Sequence, residues 1–272
     1  MAGPSATRTG VGTGLRAGGQ RGDESVNGTS GEPVVDVSNV SFAYETVPVL
    51  REVTMGIERG TIHGIVGPNG SGKSTLLKIA LGKLVPDEGT ARLFGEPAHE
   101  FEDGGRLGYV SQHSTDDRSM PLTVREVVRM GRVPRAGLRR LGERDHEMVA
   151  TALERVGITE LADRRISNLS GGQKQRAYIA RTMAAEADLL ALDEPTVGVD
   201  VESQDAFYEL LEDLREDGIT VLLIEHDIGR VTDHADTVTC LNERVFYHGD
   251  VEGFLDGDAL AEAFGATRGT DR

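Results

Sequence analysis

The sequence predicts an α/β domain in which a helical subdomain is inserted into a core built on a parallel sheet. A short apolar strand at residues 61–66 runs into a glycine-rich loop, and a helix follows at residues 73–81. Later runs at residues 189–192 and 219–224 are continuously apolar, as central strands buried on both faces are. Between these parts, residues 113–168 contain stretches with helical apolar spacing. Strand, loop and helix in this order predict a P-loop core.

The first part of the chain divides into a tail and the start of the domain. Residues 1–32 contain nine glycines and almost no large apolar side chain. Such a segment cannot bury enough surface to offset its ordering entropy, so we expect a disordered tail, or a stretch upstream of the true start. The domain is expected over residues 33–265, with a short tail at 266–272. Strands are predicted at residues 34–42, 91–94 and 107–110.

The insert and the second half of the core follow in order. Helices are predicted at residues 124–130 and 146–156, joined by links rich in Arg and Gly. A helix at residues 201–216 separates the two apolar strands. Strands at 237–241 and 244–247 around Asn242-Glu243 indicate a closing hairpin, and a last short helix is predicted at 256–264.

Composition excludes several classes of function. The 272-residue chain has a net charge of -16 and a pI of about 4.9, so nucleic acid is not expected as a partner. Its one cysteine, Cys240, allows no disulfide and no cysteine zinc site within the chain, which suits a reducing interior. No apolar run reaches the roughly 18 residues of a membrane span, and no apolar signal core is present at the N-terminus.

The basic residues are strongly biased toward arginine, because only 4 of the 29 are lysines. An acidic surface with few lysines is typical of proteins from a salt-rich cytoplasm, where salt screens the self-repulsion. A moderately acidic protein from a GC-rich genome is the alternative. Melting curves at low and molar KCl distinguish the two, because equal stability in both would exclude the halophile interpretation.

The strongest chemical signal is the glycine-rich loop. Its glycines let the backbone wrap closely around a phosphate chain, and its N–H groups point from a helix N-terminus toward the phosphates. Lys73 adds positive charge near the β and γ oxygens, and the Ser74 hydroxyl is a candidate Mg²⁺ ligand. The loop therefore predicts binding of ATP with Mg²⁺. Its candidate binding residues are Gly67, Pro68, Asn69, Gly70, Ser71, Gly72, Lys73, Ser74 and Thr75.

Acidic and imidazole groups follow the two apolar strands. Asp193 and Glu194 end the first, and His226 follows the second. Because carboxyl ends of parallel strands share one edge of a sheet, these side chains are expected in one crevice. Asp193 is then a magnesium ligand, Glu194 orients or deprotonates the attacking water, and His226 holds the γ-phosphate, the water and Glu194 in line. A solvated acidic turn and a surface histidine are the alternatives.

Two further residues are candidates by position. Gln112 follows the strand at 107–110 where the insert begins, so its amide could contact magnesium or the attacking water, unless it is simply a polar loop residue. Tyr44 lies 23 residues before the loop and could stack on adenine, the alternative being a core tyrosine on an edge strand.

A second glycine pair lies far from the first loop. Ser170 is a good N-cap, and the helix after it has Ala177, Ala180 and Ala184 on one face. The simple interpretation is a capped helix. However, Gly171 and Gly172 expose backbone N–H groups suited to an anion, and the local loop already binds one triphosphate. A two-fold dimer, in which each copy's Ser170–Gln173 segment faces the other copy's γ-phosphate, would use this second site.

These motifs, in this order, resemble the ATP-binding-cassette ATPases over about residues 34–265. The resemblance implies the ABC ATPase fold, with an antiparallel β portion near the N-terminus, and two cassettes that close over two ATP molecules. It implies that Leu169–Gln173 is the signature and that Asp200 contacts the dimer partner. The family often has a small residue and Leu before that aspartate, where this chain has Val197-Gly198-Val199; the departure leaves Asp200 in place.

A finer resemblance points to the zinc and manganese uptake branch, through residues 121–132 and 240–249. Siderophore and cobalamin importers have similar Met-Gly-Arg stretches and remain an alternative. The seven histidines are scattered without zinc-like spacing, so a separate multi-span permease and an extracytoplasmic capture protein would recognise the metal. Seven arginines of the insert are expected to form either a solvated face or a surface for docking the permease or anionic lipid: Arg125, Arg129, Arg132, Arg135, Arg139, Arg140 and Arg144.

The sequence thus predicts an ATP-hydrolysing transporter subunit, peripheral on the cytoplasmic face of the membrane. In this interpretation ATP closes a homodimer, hydrolysis opens it, and helices linked to Gln112 pass the movement to the permease. A cassette ATPase without a permease, for example in iron–sulfur assembly, is the alternative from another class. A nucleotide-sensing scaffold without turnover is a third, which the presence of Glu194 and His226 disfavours.

Overall fold

The structure is a computed structural model that describes residues 32–111, 121–137 and 140–265. Apart from Glu32, the predicted tails lie outside these ranges, as do Gln112 and Arg139. The elements run in chain order as follows: β1 Val35–Tyr44, β2 Val47–Ile57, β3 Ile62–Val66, α1 Lys73–Ala80, β4 Glu88–Leu93, β5 Glu96–Pro97, β6 Leu107–Val110, α2 Val124–Met130, α3 Val133–Ala136, α4 Glu143–Arg155, α5 Gly171–Ala184, β7 Leu189–Asp193, α6 Val201–Glu216, β8 Thr220–Ile224, α7 Ile228–His234, β9 Thr237–Asn242, β10 Arg244–Asp250, α8 Val251–Asp256 and α9 Ala259–Ala263.

A six-stranded sheet with the order β10-β9-β3-β8-β7-β6 forms the centre of the domain. Strands β3, β6, β7, β8 and β9 pair in parallel, and β10 closes one edge as an antiparallel hairpin with β9. Every residue of β3, β7 and β8 is buried, as their continuous apolar runs predict. The carboxyl ends of β3, β7 and β8 therefore lie side by side at one edge of the sheet.

A second, four-stranded sheet with the order β2-β1-β4-β5 is antiparallel throughout. It shares an apolar cluster with α1 and one face of the central sheet, in which Val37, Leu50 and Met55 pack with Leu77 and Ile224. The antiparallel β portion that the resemblance implies near the N-terminus is thereby confirmed. Strand β2 itself was not predicted, because its burial alternates irregularly and its pairing with β1 contains register shifts.

The described part of the insert is helical, as predicted. Helices α2 and α4 pack on α5 through an apolar cluster that contains Val124, Val128 and Leu153. The three alanines at one face of α5 are fully buried in the same cluster, as their spacing predicts: Ala177, Ala180 and Ala184. Within the described ranges, no helix has both the length and the apolar character that crossing a membrane requires.

The short C-terminal helix predicted at residues 256–264 is present as α9, which is shorter because Gly257 before it has extended backbone. Helix α8 was not predicted. The Asp250 carboxylate caps it by accepting a hydrogen bond from Gly253 N at 2.6 Å. Helix α7 was also missed; the Asp227 side chain caps it by accepting from Arg230 N.

Candidate nucleotide-binding site

The glycine-rich loop joins β3 to α1 and forms a cradle of backbone groups. Gly67, Gly70 and Gly72 have φ values of 151°, 78° and 98°, a range that favours glycine. A Cβ atom at Gly67 would lie 2.0 Å from the carbonyl oxygen of Leu241, so close packing also requires glycine there. The loop borders a cavity of about 180 Å³, which is lined by Val49, Asn69, Gly70, Ser71, Gly72, Lys73, Ser74, Thr75 and Glu194.

Lys73 is 95% buried at the floor of this loop, with 5% of its surface exposed. Its ammonium donates hydrogen bonds to the carbonyl oxygens of Gly67 and Pro68, both at 2.9 Å. Burial lowers the pKa of this ammonium, while the nearby Glu194 and Asp193 carboxylates oppose the change. A phosphate oxygen entering the cavity would offer the ammonium a charged acceptor, which is stronger than a carbonyl.

Asp193 and Ser74 meet at the end of β7. The Ser74 hydroxyl donates to Asp193 Oδ1 at 3.0 Å, and only 6% of Asp193 is exposed. Burial raises the pKa of the Asp193 carboxyl, and the hydrogen bond from Ser74 acts against this. A carboxylate and a hydroxyl side by side are hard oxygen donors, so this pair fits Mg²⁺ beside the phosphate cradle.

Glu194 and His226 also meet, although they follow different strands. His226 Nε2 lies 2.6 Å from Glu194 Oε1. Glu194 has φ = 52°, and its N–H donates to the carbonyl of Ile224 at 3.0 Å. A non-glycine residue with left-handed backbone is strained, and here the strained turn directs the carboxylate to the cavity that it lines. The sequence predicted this convergence from the order of the strands alone.

Tyr44 lies at the end of β1, and Val49 lies on β2. Tyr44 ends β1 with 46% of its surface exposed and contacts the Phe42 ring edge-on, at 4.9 Å between centroids. It is absent from the lining of the cavity described above, so its stacking on adenine stays a prediction. Val49 on β2 does line that cavity. Sequence reasoning missed it because nothing local marks β2 as a strand.

The Ser170–Gln173 segment begins α5 with a reciprocal cap. Ser170 Oγ accepts from Gln173 N at 3.3 Å, and Gln173 Oε1 accepts from Ser170 N at 3.1 Å. Gly172 lies against α6, since a Cβ there would be 3.1 Å from that of Ser203. Among the described residues that line the P-loop cavity, none comes from this segment. The second glycine pair is therefore not part of the cavity at its own chain's loop.

Asp200 begins α6. Its carboxylate accepts from Ser203 N at 3.0 Å, and this hydrogen bond lowers the pKa of the Asp200 carboxyl. Gln112, the remaining candidate ligand, lies outside the described residues.

The arginines of the insert do not form one free basic face. Only 3% of Arg132 is exposed, because its guanidinium donates to Asp145 Oδ1 at 2.9 Å, to Glu186 Oε2 at 2.6 Å and to the carbonyl of Ala184 at 2.7 Å. Arg135 also donates to backbone carbonyls after α5. The expectation of a solvated or docking residue is wrong for Arg132, since it joins the segment between α2 and α3 to α4 and to the end of α5 from inside.

Comparison with known families gives one profile match, to the family described as ABC transporter, over residues 50–197. The zinc uptake system ATP-binding protein ZurA of Listeria innocua is 43% identical over 224 residues, which cover 81% of this chain and 87% of that protein. The manganese transport system ATP-binding protein MntB of Bacillus subtilis is 38% identical over 233 residues, covering 85% and 92%.

Solved structures agree with this. The cbiO1 protein of Clostridium perfringens, part of the ABC transporter complex cbiONQ, superimposes with a TM-score of 0.74 at 30% identity, covering 85% of this chain and 94% of that one. The ATP-binding cassette MJ0796, solved as a dimer in a post-hydrolysis state with ADP and Pi, superimposes with a TM-score of 0.69 at 27% identity, covering 80% and 98%.

Proposed function

The chain belongs to the ABC transporter family, as an ATP-hydrolysing subunit, and we propose that it drives import of zinc or manganese through a separate membrane permease. One observation carries the choice of cargo: relatives that match 81% and 85% of the chain are named for zinc uptake and manganese transport. The siderophore, cobalamin and permease-free alternatives have no comparable support among these relatives.

The glycine-rich loop would bind the triphosphate, and side chains at the loop and at the ends of the strands would hold the metal. The backbone N–H groups of residues 70–75 would bind the triphosphate, and Lys73 would exchange its two carbonyl partners for the β and γ oxygens. Ser74 and Asp193 would hold Mg²⁺, with Gln112 as a further candidate ligand. When bound, Mg²⁺ supplies positive charge that neutralises the phosphate oxygens. Tyr44 would stack on the adenine.

Glu194 would act on the attacking water. Its contact with His226 at 2.6 Å gives the pair one orientation, with the carboxylate facing the cavity. Glu194 accepts the proton of the water or aligns it, and His226 holds the γ-phosphate and Glu194 in line. The positive φ of Glu194 supports this role, because strained backbone is retained where a side chain must be aimed.

We infer that the active unit is a homodimer. Ser170, Gly171 and Gly172 offer an anion site that the chain's own cavity does not include, and a second copy would bring its γ-phosphate to that site. Gln173 would hold Ser170 in place through the reciprocal cap, and Asp200 would contact the partner copy. The dimeric state of the similar MJ0796 cassette supports this arrangement.

The remaining partners follow from what this chain lacks. Over the described residues, no group of three or more His, Cys, Asp or Glu side chains is placed to hold a metal ion, so the cargo would be selected elsewhere. We propose a multi-span permease contacted by the insert, an extracytoplasmic metal-binding protein acting on that permease, and a peripheral position on the cytoplasmic face. The naming of cbiO1 as part of a transporter complex is consistent with this.

Reconstitution tests the proposal. The chain, its permease and its capture protein are placed in proteoliposomes, and ATP turnover and uptake are measured with zinc, manganese, iron-siderophore and cobalamin. We expect turnover stimulated by zinc or manganese. Stimulation by a siderophore or cobalamin alone would contradict the cargo, and wild-type turnover by strictly monomeric protein would contradict the dimer.

A pair of variants at one position tests the signature. A Cβ at Gly171 would lie 3.5 Å from Val199, an ordinary contact, so Gly171→Ala should fold normally. Gly171→Asp adds negative charge beside the partner's γ-phosphate and should abolish ATP-driven dimerisation in light scattering. Gly171→Ala is the matched control. Equal dimerisation of the Asp variant and the wild type would remove the signature from the interface.

A further inference from the structure

Glu225 lies between β8 and His226. The proposed mechanism of ATP hydrolysis gives it no role, yet its carboxylate joins two loops. Only 2% of Glu225 is exposed. Its Oε1 accepts from the backbone N–H of Thr196 at 3.1 Å and from the Thr196 hydroxyl at 2.7 Å. Its Oε2 accepts from the backbone N–H of His226 at 3.3 Å. One carboxylate therefore binds the His226 loop and the loop that follows Glu194.

The loop at residues 195–200 continues this connection toward the signature. Gln204 Nε2 donates to the carbonyl of Val199 at 2.9 Å and to that of Thr196 at 3.4 Å, so the loop is fixed at both ends. Val199 in turn is a neighbour of the glycine pair, since its methyl carbons would be 3.5 and 3.6 Å from Cβ atoms placed at Gly171 and Gly172. Hydrogen bonds and this close approach thus connect His226 to the signature of the same chain.

Burying the Glu225 carboxylate costs free energy, so stability alone does not explain a glutamate at this position. Burial raises the pKa of its carboxyl, and the hydrogen bonds from Thr196 oppose that change. Thr196 is itself only 9% exposed, so its N–H and hydroxyl have little access to solvent if the carboxylate is removed. Without the Glu225 carboxylate, the buried N–H and hydroxyl of Thr196 have no acceptor, and the loop at residues 195–200 loses the contact that fixes its position.

We propose that Glu225 is a positioning residue that couples His226 to the loop at residues 195–200 and through it to the signature. The proposal rests on the proposed function, because the signature serves the nucleotide bound by the other copy. A change at His226 when one γ-phosphate is lost then moves the signature that faces the second ATP. The state of one ATP site of the dimer thereby affects the other ATP site.

The experiment compares steady-state ATP turnover of the purified full chain with Glu225→Ala, Glu225→Gln, Thr196→Val and the Glu225→Ala/Thr196→Val double variant. The wild type should show a sigmoidal dependence of rate on ATP concentration. For Glu225→Ala we expect kcat to fall about tenfold, KM for ATP to change less than about twofold, and the sigmoidal shape to be lost. The nucleotide cavity itself is unchanged, so ATP binding to the monomer should persist.

The other variants separate positioning from simple stabilisation. Glu225→Gln keeps one oxygen as an acceptor for Thr196 but places an NH2 group, which cannot accept, at the His226 N–H; kcat should therefore recover only in part, to about threefold below the wild type. Thr196→Val removes only the hydroxyl contact and should reproduce part of the loss. The double variant should fall no further than Glu225→Ala, because the hydroxyl acts only through Glu225. Glu212→Ala is the matched control: it removes a carboxylate bonded to His234 at 2.8 Å, on α6 and outside this connection, and should leave kcat and the sigmoidal shape unchanged.

The outcomes are distinct. If the wild type shows no turnover that depends on dimer formation, the proposed function itself is wrong. If the wild type is active and sigmoidal but Glu225→Ala and Thr196→Val retain both properties, only the coupling role is overturned. Additive losses in the double variant would also overturn it. If Glu225→Ala does not fold, Glu225→Gln and Thr196→Val test the coupling role of Glu225 in its place.

Discussion

The edge of the central sheet and the helical insert bury charged groups in opposite ways. At the sheet edge, Lys73 and Glu194 line the cavity at the loop and Asp193 lines a neighbouring one. Their partners are carbonyls, a hydroxyl and an imidazole, which a nucleotide and a metal would replace in the proposed function. In the insert, Arg132 and Asp145 are 3% and 1% exposed and bind each other directly, with no cavity between them.

From this difference we expect the charges at the sheet edge to serve reactivity and those in the insert to serve stability. The ends of strands, and at Glu194 strained backbone, set the positions at the sheet edge, so we expect these side chains to contribute little to holding the fold. In the insert, one guanidinium joins the segment between α2 and α3 to α4 and to the end of α5. Removing a charge should therefore cost activity at the sheet edge and stability in the insert.

The largest expected effect is at Glu194. Glu194→Gln removes the proton acceptor but keeps the shape, so kcat should fall about a hundred- to ten-thousand-fold. ATP binding should persist and the ATP-bound dimer should accumulate, which gel filtration with ATP measures. The matched control is Glu243→Gln, a glutamate that also has positive φ but pairs with Arg51 at the surface. Turnover by Glu194→Gln equal to that of the control would remove Glu194 as the base.

The counterpart in the insert is Arg132→Met. It leaves Asp145 buried without its guanidinium partner, and breaking such a pair should lower the free energy of unfolding by about 3–5 kcal/mol. ATP affinity of the protein that remains folded should be unchanged, since Arg132 is remote from the cavity lining. Urea unfolding measures the loss, with Arg144→Met, whose side chain is 76% exposed, as control. If Arg132→Met lowered the free energy of unfolding by less than Arg144→Met does, the contrast between the insert and the sheet edge would be wrong.

The same contrast explains what the sequence could predict. The loop, the strand ends and the cap at Ser170 are local patterns, in which neighbours in sequence fix the chemistry. Arg132 binds Asp145 and Glu186, 13 and 54 residues away, so its burial depends on helix packing that no local pattern contains. Val49 was missed for a related reason: β2 is recognisable only through its irregular pairing with β1. Glu225 was likewise unremarkable until the structure brought Thr196 to it.

A buried neutral group in the core gives a smaller, pH-dependent effect. His63 lies between Thr237 and Thr239 hydroxyls, both at 2.8 Å, and burial, with the neighbouring His248, lowers its pKa from 6.5 to about 3. The unfolded chain therefore binds more protons between these values, and stability present above pH 6.5 is lost as the pH falls toward 3. At about pH 5 the loss should be roughly 2 kcal/mol.

Urea unfolding at neutral pH and at about pH 5 measures this contribution. The decrease in the wild type should exceed that in His63→Gln by the stated amount, because glutamine does not titrate. His146→Gln, which replaces an exposed histidine of α4, should behave as the wild type does. Equal decreases in the wild type and His63→Gln would show that the core of the sheet tolerates a charge without an opposite charge beside it.

The smallest effect is expected from an exposed ion pair of the same insert. Arg125 and Asp163 lie 3.1 Å apart with 45% and 86% of their side chains exposed, so Arg125→Ala should cost less than about 1 kcal/mol. Asp163→Ala should cost a similar amount, and the double variant little more. In about 1 M KCl screening should erase the difference from wild type, whereas the loss in Arg132→Met should persist because salt does not reach a buried pair. If the losses of stability in Arg125→Ala and in Arg132→Met both disappeared in about 1 M KCl, exposure would not explain the difference between the two ion pairs. The distinction between the insert's interior and its surface would then be wrong.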